Sequence, residues 1–346
     1  MSRYELSRAE LAPLLAGTPD YRVDQLWDGL YRQLLDPEQV TVLPRALRLR
    51  LADEPLLAPA LHVATVQRAD GGETVKWAVG LEDGARVETV LMHHPRHSTA
   101  CVSSQAGCAM ACSFCATGQA GYTRQLTTGE IVEQVVLAAR AARDAGRRLD
   151  HVVFMGMGEP LANYDSVLAA VRRIVGDIGI GARHVTISTV GVVPGIKRLA
   201  AEPLQVNLAV SLHAANDQLR NSLVPLGRRY PIESLMGACA DYVAATHRRV
   251  SFEWALIRSV NDRDSDAEEL AALARTLRAH VNLIPLNPTP GALDLGLVGT
   301  DPSGVRAFRT HLERRGVNVT VRRARGRSID AACGQLATRA TSTARS

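Results

Sequence analysis

The chain has 346 residues, enough for one large domain or a large domain with a small one, and 46% of them are apolar. Its net charge of +5 permits contact with nucleic acid but does not establish it. No apolar run approaches the length of about 18 residues that a membrane-spanning helix needs. The charged start Arg3–Glu5 is unlike the apolar centre of a signal peptide. We therefore expect a cytoplasmic protein with no membrane contact, whose six cysteines are thiols, ligands or redox groups.

The first part of the chain contains two kinds of pattern. Residues 1–60 place apolar side chains three and four positions apart, which predicts a small accessory domain of short helices. In residues 61–97 the turns Asp70–Gly72 and Asp83–Gly84 separate three apolar runs. This spacing indicates a small antiparallel β-meander that links the helices to the rest of the chain.

From residue 98 onward, strands alternate with helices, and the clearest helix begins with the capping-box sequence Thr127–Glu130. The candidate strands are rich in Val, Ile and Leu without strict alternation, as parallel strands covered on both faces are. They are Thr99–Ser103, His151–Met155, His184–Val190, Val206–His213, Val250–Ile257, Val281–Leu286 and Val317–Val321. No glycine-rich nucleotide fingerprint follows the first strand, so we expect an α/β fold of the partial (β/α)6 barrel type over residues 98–337. Residues 338–346 are small and polar and are expected to form a disordered tail.

Three cysteines of the first predicted strand–helix loop, Cys108, Cys112 and Cys115, have the spacing C-x3-C-x2-C. A structural zinc site needs four protein ligands, and so does a fully ligated four-iron cluster. Three thiolates leave one iron of a [4Fe–4S] cluster open to a further ligand. The spacing resembles that of the radical S-adenosylmethionine (SAM) enzymes. The alternatives are a zinc site completed by a distant residue and a set of reduced surface thiols.

Polar residues follow several of the other predicted strands. In such barrels the chemistry lies at the carboxyl ends of the strands. Gly158 and Glu159 follow the second strand, and Glu159 is placed to receive an ammonium group of SAM. Ser188, the segment Ser211–His213 and Asn287 end the third, fourth and sixth strands. Each alone would be an ordinary strand-end residue, but together they predict a ring of donors and acceptors for a polar ligand.

The remaining three cysteines differ in their settings. Cys101 lies in the first predicted barrel strand and Cys333 follows the last, so both are expected at the same mouth of the barrel. Cys239, between two alanines of a predicted helix, is expected to be a small buried apolar residue. The basic run Arg322–Arg327 is most simply a solvated face.

Five motifs, in order along the chain, closely resemble those of the RlmN family, and the similarity extends from about residue 20 to residue 337. They are Cys101–Cys108, Met155–Leu161, Ser188–Pro194, Ser211–His213 and Asp330–Leu336. The resemblance implies a radical-SAM methyltransferase that acts on C2 of an adenine in 23S rRNA, at the peptidyl-transferase centre. It also implies action on the adenine 3′ of the anticodon in some tRNAs. The sister family Cfr, which methylates C8 and confers antibiotic resistance, shares most of the motifs, but Pro160 and the run Asn282–Pro288 favour RlmN.

The resemblance further implies residue roles and partners. Cys108, Cys112 and Cys115 would hold a [4Fe–4S] cluster. Cys333 would carry a methyl group taken from one SAM, and a 5′-deoxyadenosyl radical from a second SAM would activate that methyl for addition to adenine. Cys101 would then attack the Cys333 sulfur and leave a transient disulfide, and Glu88 would be the proton acceptor. The SAM contacts would be Gly158, Glu159, Ser188, Ser211, Leu212, His213 and Asn287. The expected protein is a monomer that receives electrons from a small flavodoxin or ferredoxin.

Two other kinds of protein share part of this pattern. A radical-SAM activase or dehydrogenase would use the 5′-deoxyadenosyl radical directly on its substrate and would not need the paired Cys101 and Cys333. A non-catalytic RNA-binding protein stabilised by zinc would be colourless, whereas a protein with an iron–sulfur cluster would be brown.

Overall fold

The computed structural model describes residues 2–337, so the tail predicted for residues 338–346 lies outside the described residues. Its strands are β1 His62–Ala69, β2 Thr74–Gly80, β3 Arg86–His93, β4 Ser98–Cys101, β5 Gln105–Gly107, β6 Tyr122–Gln125, β7 His151–Phe154, β8 Val185–Thr189, β9 Asn207–Ser211, β10 Ser251–Leu256, β11 His280–Pro285 and β12 Asn318–Val321. Its α-helices are α1 Arg8–Leu11, α2 Tyr21–Tyr31, α3 Arg45–Ala52, α4 Ala116–Gln119, α5 Thr128–Asp144, α6 Tyr164–Arg173, α7 Val193–Ala200, α8 Asp217–Leu223, α9 Ile232–Thr246, α10 Asp264–Thr276, α11 Pro290–Asp294 and α12 Pro302–Arg314.

Ten of the strands form one sheet in the order β1-β2-β3-β4-β7-β8-β9-β10-β11-β12. Every pairing from β4 to β12 is parallel, and each of the seven parallel strands corresponds to one of the predicted strands. Helices connect these strands, so the predicted α/β barrel architecture is confirmed. The sheet does not close, because β12 pairs only with β11 and β4 pairs with β3 on its other side. The barrel is therefore open between β4 and β12.

The predicted meander is part of the same sheet as the barrel. Strands β1, β2 and β3 pair antiparallel in sequence, and β3 then pairs antiparallel with β4. In that register Val90 lies opposite Cys101. The meander consequently fixes the position of the strand that carries Cys101.

The N-terminal helices pack on the outside of the barrel, against the helices that follow its first strands. The Trp27 indole N–H donates to Asp177 beyond α6 at 2.9 Å, and Glu5 accepts the Gly129 N–H of α5 at 2.6 Å. Helix α5 begins with the predicted capping box, in which Thr127 and Glu130 each accept the other's backbone N–H. No helix in residues 2–337 is long and apolar enough to cross a membrane.

Two glycines after β7 allow close contact between neighbouring segments of backbone. A Cβ added to Gly156 would lie 2.7 Å from the carbonyl carbon and oxygen of Val102. Gly158 has φ +101°, and a Cβ there would lie 2.6 Å from Cβ of Gln105. The resemblance implied a SAM contact for Gly158, and the structure shows that both glycines also make room for the segment after β4.

We expect Gly156→Ala to lower the free energy of unfolding by about 1–3 kcal/mol, because the added methyl meets backbone that cannot rotate away. The matched control is Gly237→Ala in α9, where nothing lies within 4 Å of the added Cβ. That change should stabilise the helix by about 0.5–1 kcal/mol. Urea denaturation of both variants measures the difference, and equal effects would contradict the packing described here.

Candidate active site

A cavity of about 930 Å³ lies at the carboxyl ends of the parallel strands. It brings together most of the residues that the sequence placed at strand ends. They are Cys112, Cys115, Gly158, Glu159, Ser188, Ser211, His213, Asn287 and Cys333. The predicted ring of polar groups around one mouth is therefore present in the fold.

The cysteine loop between β5 and α4 is held by its backbone and by one aromatic side chain. The Cys108 N–H donates to the Gly121 carbonyl at 2.7 Å, and the Ser113 N–H donates to the Leu223 carbonyl at 3.1 Å. Phe114 packs in a small apolar cluster with Val224 and Ile257. These contacts attach the loop to the barrel wall.

The thiols of this loop interact with one another. Burial raises the pKa of Cys108 to about 12 and that of Cys112 well above the ordinary value, and neighbouring thiols add to both shifts. Without a bound cation these two thiols are protonated, so metal binding must displace their protons. Within residues 2–337, no three His, Cys, Asp or Glu side chains converge closely enough to hold a single metal ion. A structural zinc site needs four protein ligands, whereas three thiolates suffice for a four-iron cluster with one iron left open, so the three-cysteine loop fits such a cluster.

Glu159 lies beside the cysteine loop and is almost fully buried, with 2% of its surface exposed. One carboxylate oxygen accepts the Leu161 N–H at 2.9 Å, and the other accepts the Val190 N–H at 2.8 Å. Burial raises the pKa of this carboxyl to about 7, although the two backbone donors lower it. Each oxygen keeps a second lone pair that can accept from a ligand.

The residues after β9 have different environments. The His213 ring accepts the Ala255 N–H at 3.0 Å and meets Phe114 edge-on at 4.7 Å between ring centroids. Burial lowers the pKa of His213 to about 3, so the imidazole is neutral. Leu212 is fully buried in the main core and does not line the cavity. Its backbone N–H donates to the Glu253 carbonyl at 3.1 Å, so the structure does not bring Leu212 to the cavity as the resemblance implied.

Cys333 lies in a loop that packs directly against the cysteine loop. The Gly334 carbonyl accepts the Ala116 N–H at 2.8 Å, and the Leu336 carbonyl accepts from the Thr117 hydroxyl at 2.5 Å. The Asn287 side chain donates to the Cys333 carbonyl at 3.2 Å. This docking puts Cys333 at the edge of the first cavity.

A second cavity, of about 1,400 Å³, fills the open side of the barrel between β4 and β12. Cys101 and Cys333 both line it, together with Arg322, Arg323 and Arg325. Burial raises the pKa of Cys101 to about 12, and the nearby Cys333 thiol raises it further. Both thiols are reduced in the structure. Cys333 and Asn287 line the two cavities jointly.

Comparisons with known proteins agree with this geometry. Residues 102–274 match the radical SAM superfamily. A crystal structure of a radical SAM methyltransferase from Sphaerobacter thermophilus is 52% identical, with a TM-score of 0.91 over 97% of this chain and 99% of that one. A "Probable dual-specificity RNA methyltransferase RlmN" of Parafrankia sp. (strain EAN1pec) is 49% identical over 96% of this chain and 90% of its own length. The protein of the same description from Mycobacterium marinum is 51% identical over 93% of this chain and 90% of its own length.

The chain belongs to the RlmN family. It is accordingly a radical SAM RNA methyltransferase of the dual-specificity type. Membership implies a [4Fe–4S] cluster and SAM as cofactors, which the three-thiol loop and the first cavity fit.

The RlmN resemblance names Glu88 as a proton acceptor, but Glu88 lines neither cavity. It lies on β3 and forms a buried ion pair with Lys76 at 3.0 Å. Its carboxylate also accepts the Ala337 N–H at 3.0 Å, and Lys76 donates to the Asp330 carbonyl at 3.3 Å. The pair therefore holds both ends of the loop that carries Cys333.

Sequence reasoning missed two charged residues of this RlmN site. Glu253 on β10 lines the first cavity, and Arg322 directly after β12 lines the second. Arg322 belongs to a basic run that was interpreted as a solvated face. The position of Arg322 at the end of a parallel strand was the signal that could have found it, since the same rule found Ser188 and Asn287.

The raised pKa of Glu159 predicts a pH dependence of stability in SAM-free protein. A carboxyl whose pKa rises from 4.5 to about 7 on folding gives stability that is present below pH 4.5 and lost as the pH rises through 7. Relative to Glu159→Gln, the wild-type free energy of unfolding should fall by roughly 2–3 kcal/mol between pH 5 and pH 8. Urea titrations of both proteins across that range test this, and a pH-independent difference would show that Glu159 is ionised throughout.

Lys76→Met should loosen the Cys333 loop, because it leaves the Glu88 carboxylate buried without its cation. Breaking one partner of a buried pair costs about 3–5 kcal/mol. We expect faster hydrogen exchange at the Ala337 N–H and a lower melting temperature. Lys197→Met, on the exposed surface of α7, is the matched control and should change neither quantity. Unaltered exchange in Lys76→Met would refute the anchoring role of the pair.

Proposed function

We propose that this chain methylates carbon 2 of an adenine in 23S rRNA, and the adenine 3′ of the anticodon in some tRNAs, through an S-methylcysteine at Cys333. One observation carries the proposal: Cys333 lines both cavities. The first cavity is lined by Cys112, Cys115 and most of the expected SAM contacts, and the second by Cys101 and three arginines. A group carried on Cys333 can therefore pass from a donor in one cavity to an acceptor in the other.

The first cavity suits the cofactors of the family. Cys108, Cys112 and Cys115 would hold the [4Fe–4S] cluster, which supplies the electron that cleaves SAM when a flavodoxin- or ferredoxin-type protein has reduced it. Glu159 supports the placement of the SAM ammonium, because it is a buried carboxylate beside the cysteine loop with lone pairs still available. The other SAM contacts proposed are Gly158, Ser188, Ser211, His213 and Asn287, all of which line this cavity.

The second cavity suits a nucleotide. Its position on the open side of the barrel suits a base turned out of its RNA strand. Arg322, Arg323 and Arg325 add positive charge at this opening. Arginine contacts to phosphates orient a nucleic acid without reading its sequence, so specificity must come from the base pocket.

The two cysteines have complementary roles in the proposed chemistry. The Cys333 sulfur gives an electron pair to the methyl carbon of SAM, the sulfonium–carbon bond breaks, and the thiol proton leaves. The 5′-deoxyadenosyl radical would take a hydrogen atom from that methyl group, and the resulting methylene radical would add to the adenine carbon. Once the adduct has lost one electron, to the oxidised cluster, and the ring proton, the Cys101 thiolate attacks the Cys333 sulfur. A disulfide forms, and the sulfur–carbon bond breaks with its electron pair on carbon, which takes up a proton to complete the methyl group. The disulfide must then be reduced before the next turnover.

We propose Glu88 as the acceptor of the adenine proton. Burial raises the pKa of its carboxyl, as suits a base that must hold a proton, and Lys76 opposes the rise. Because Glu88 lines neither cavity, it can reach the substrate only if the loop up to Ala337 shifts. Glu88→Gln should then slow RNA release without reducing methylation of Cys333.

Cys101→Ala should leave methylation of Cys333 intact but trap the RNA covalently on the protein, because the thiol that breaks the link is absent. Cys333→Ala should give no methylated Cys333 and no covalent RNA. Cys239→Ala, a fully buried thiol in α9, is the matched control and should turn over normally. Denaturing gels show the adduct, and mass analysis of nuclease-digested RNA identifies the methylated carbon. Normal turnover by Cys101→Ala would reject this mechanism, and a product methylated at C8 would indicate Cfr-like chemistry.

A further inference from the structure

A third cavity opens at the amino ends of β9, β10 and β11, at the opposite end of the barrel from the cysteine loop. The first residue of each of these strands lines it, and so does the segment that joins α9 to β10. Among residues 2–337, no Asp or Glu lines this cavity. The lining side chains that are positive, or become positive on protonation, are His247, Arg248, Arg249, His280 and Arg322.

Two of these arginines have no carboxylate partner. Arg249 is exposed, and its side chain forms no hydrogen bond or ion pair within residues 2–337. The Arg248 side chain donates to the neutral Asn207 side chain, and its buried Nε–H has no acceptor in the described part of the chain. Arg322 differs, because it forms an ion pair with Glu253 at 3.3 Å. A bound anion would therefore supply the negative charge that the protein does not place beside Arg248 and Arg249.

The other side chains of the cavity suit a phosphate group. The Thr186 hydroxyl and the His247 ring form no hydrogen bond within the described residues, so both are free to donate. A phosphate accepts from several donors at once, and the planar fork of an arginine matches two of its oxygens. Burial lowers the pKa of His280, and the charge of Arg249 lowers it further, so the arginine makes the cavity electropositive.

The third cavity adjoins the second one, because Arg322 lines both. The second cavity also contains Arg323 and Arg325, and it lies on the open side of the barrel. An RNA strand whose adenine enters the second cavity carries a phosphate at every flanking nucleotide, and lysine or arginine contacts to such phosphates supply much of RNA affinity. The third cavity offers the next cations along that strand.

We propose that the third cavity is a phosphate-binding site in which Arg248 and Arg249 are the principal cations. The phosphate belongs either to the RNA strand beside the target adenine or to a small phosphate compound, since both present the same oxygens. The adjoining second cavity favours the RNA strand. The site lies apart from the SAM cavity, so it adds to the proposed function without depending on which adenine carbon is methylated.

The first test is the protection of Arg249 from phenylglyoxal, which modifies accessible guanidinium groups, in cluster-loaded protein. Inorganic phosphate replaces sodium chloride at constant ionic strength, and modification is quantified by peptide mass analysis. Phosphate at about ten times its dissociation constant should slow modification of Arg249 about tenfold. Arg275 is the matched control in the same protein, because it is exposed near the end of α10 and does not line the cavity. Unprotected Arg249, or equal protection of Arg275, would overturn the inference.

The second test identifies the source of the phosphate by measuring the binding of an unmodified 23S rRNA transcript over a range of salt concentrations. If Arg249 contacts a backbone phosphate, Arg249→Gln should reduce the slope of log affinity against log salt by roughly 0.7–0.9. Arg275→Gln is the matched control and should keep the wild-type slope, and an equal reduction there would overturn the inference. Iron content and SAM cleavage without RNA should be unchanged in both variants, which shows that they are folded. Protection of Arg249 by phosphate with an unchanged slope would uphold the site and identify a small phosphate compound as its ligand.

Discussion

The active site depends on the docking of the C-terminal loop onto the cysteine loop. The Gly334 carbonyl accepts the first backbone N–H of helix α4, from Ala116, at 2.8 Å. The first N–H groups of a helix have no acceptor within the helix. The Gly334 carbonyl supplies the acceptor for Ala116, the residue directly after Cys115 of the cysteine loop. Thr117 adds a second bond to the same segment, at Leu336. Cys333 is thereby placed next to the cluster ligands, although it lies at the opposite end of the domain.

Buried charges keep this docked segment in position. The Lys76–Glu88 pair holds its two ends, and the Glu253–Arg322 pair lies between the two cavities that Cys333 lines. A buried ion pair contributes little net stability because both charges lose their hydration. Its effect here is positional, since each pair fixes one geometry of a loop that has little regular structure. Glu159 differs because backbone N–H groups, rather than a cation, hold its carboxylate, so its charge responds to what binds in the first cavity.

Much of the fold could be predicted because its parallel strands are short apolar runs buried on both faces. The predicted strand Thr99–Ser103 corresponds to Ser98–Cys101, and His151–Met155 corresponds to His151–Phe154. Since parallel strands end at one edge of the sheet, residues after them were correctly expected to meet around one cavity. The same reasoning could not tell that the side chain of Leu212 points into the core, because a strand end does not specify which way a side chain faces.

By itself, the sequence determined the features that depend on residues close together in the chain: the three-cysteine loop, the capping box of α5 and the succession of strands and helices. These arise from spacing and periodicity, which need no knowledge of distant contacts. Only the tertiary structure decided that Cys101 shares a cavity with Arg322 and Cys333, and that Lys76 and Glu88 hold the Cys333 loop. Each of these contacts joins segments far apart in sequence, and they meet because β3 pairs with β4 and the barrel stays open beside β12.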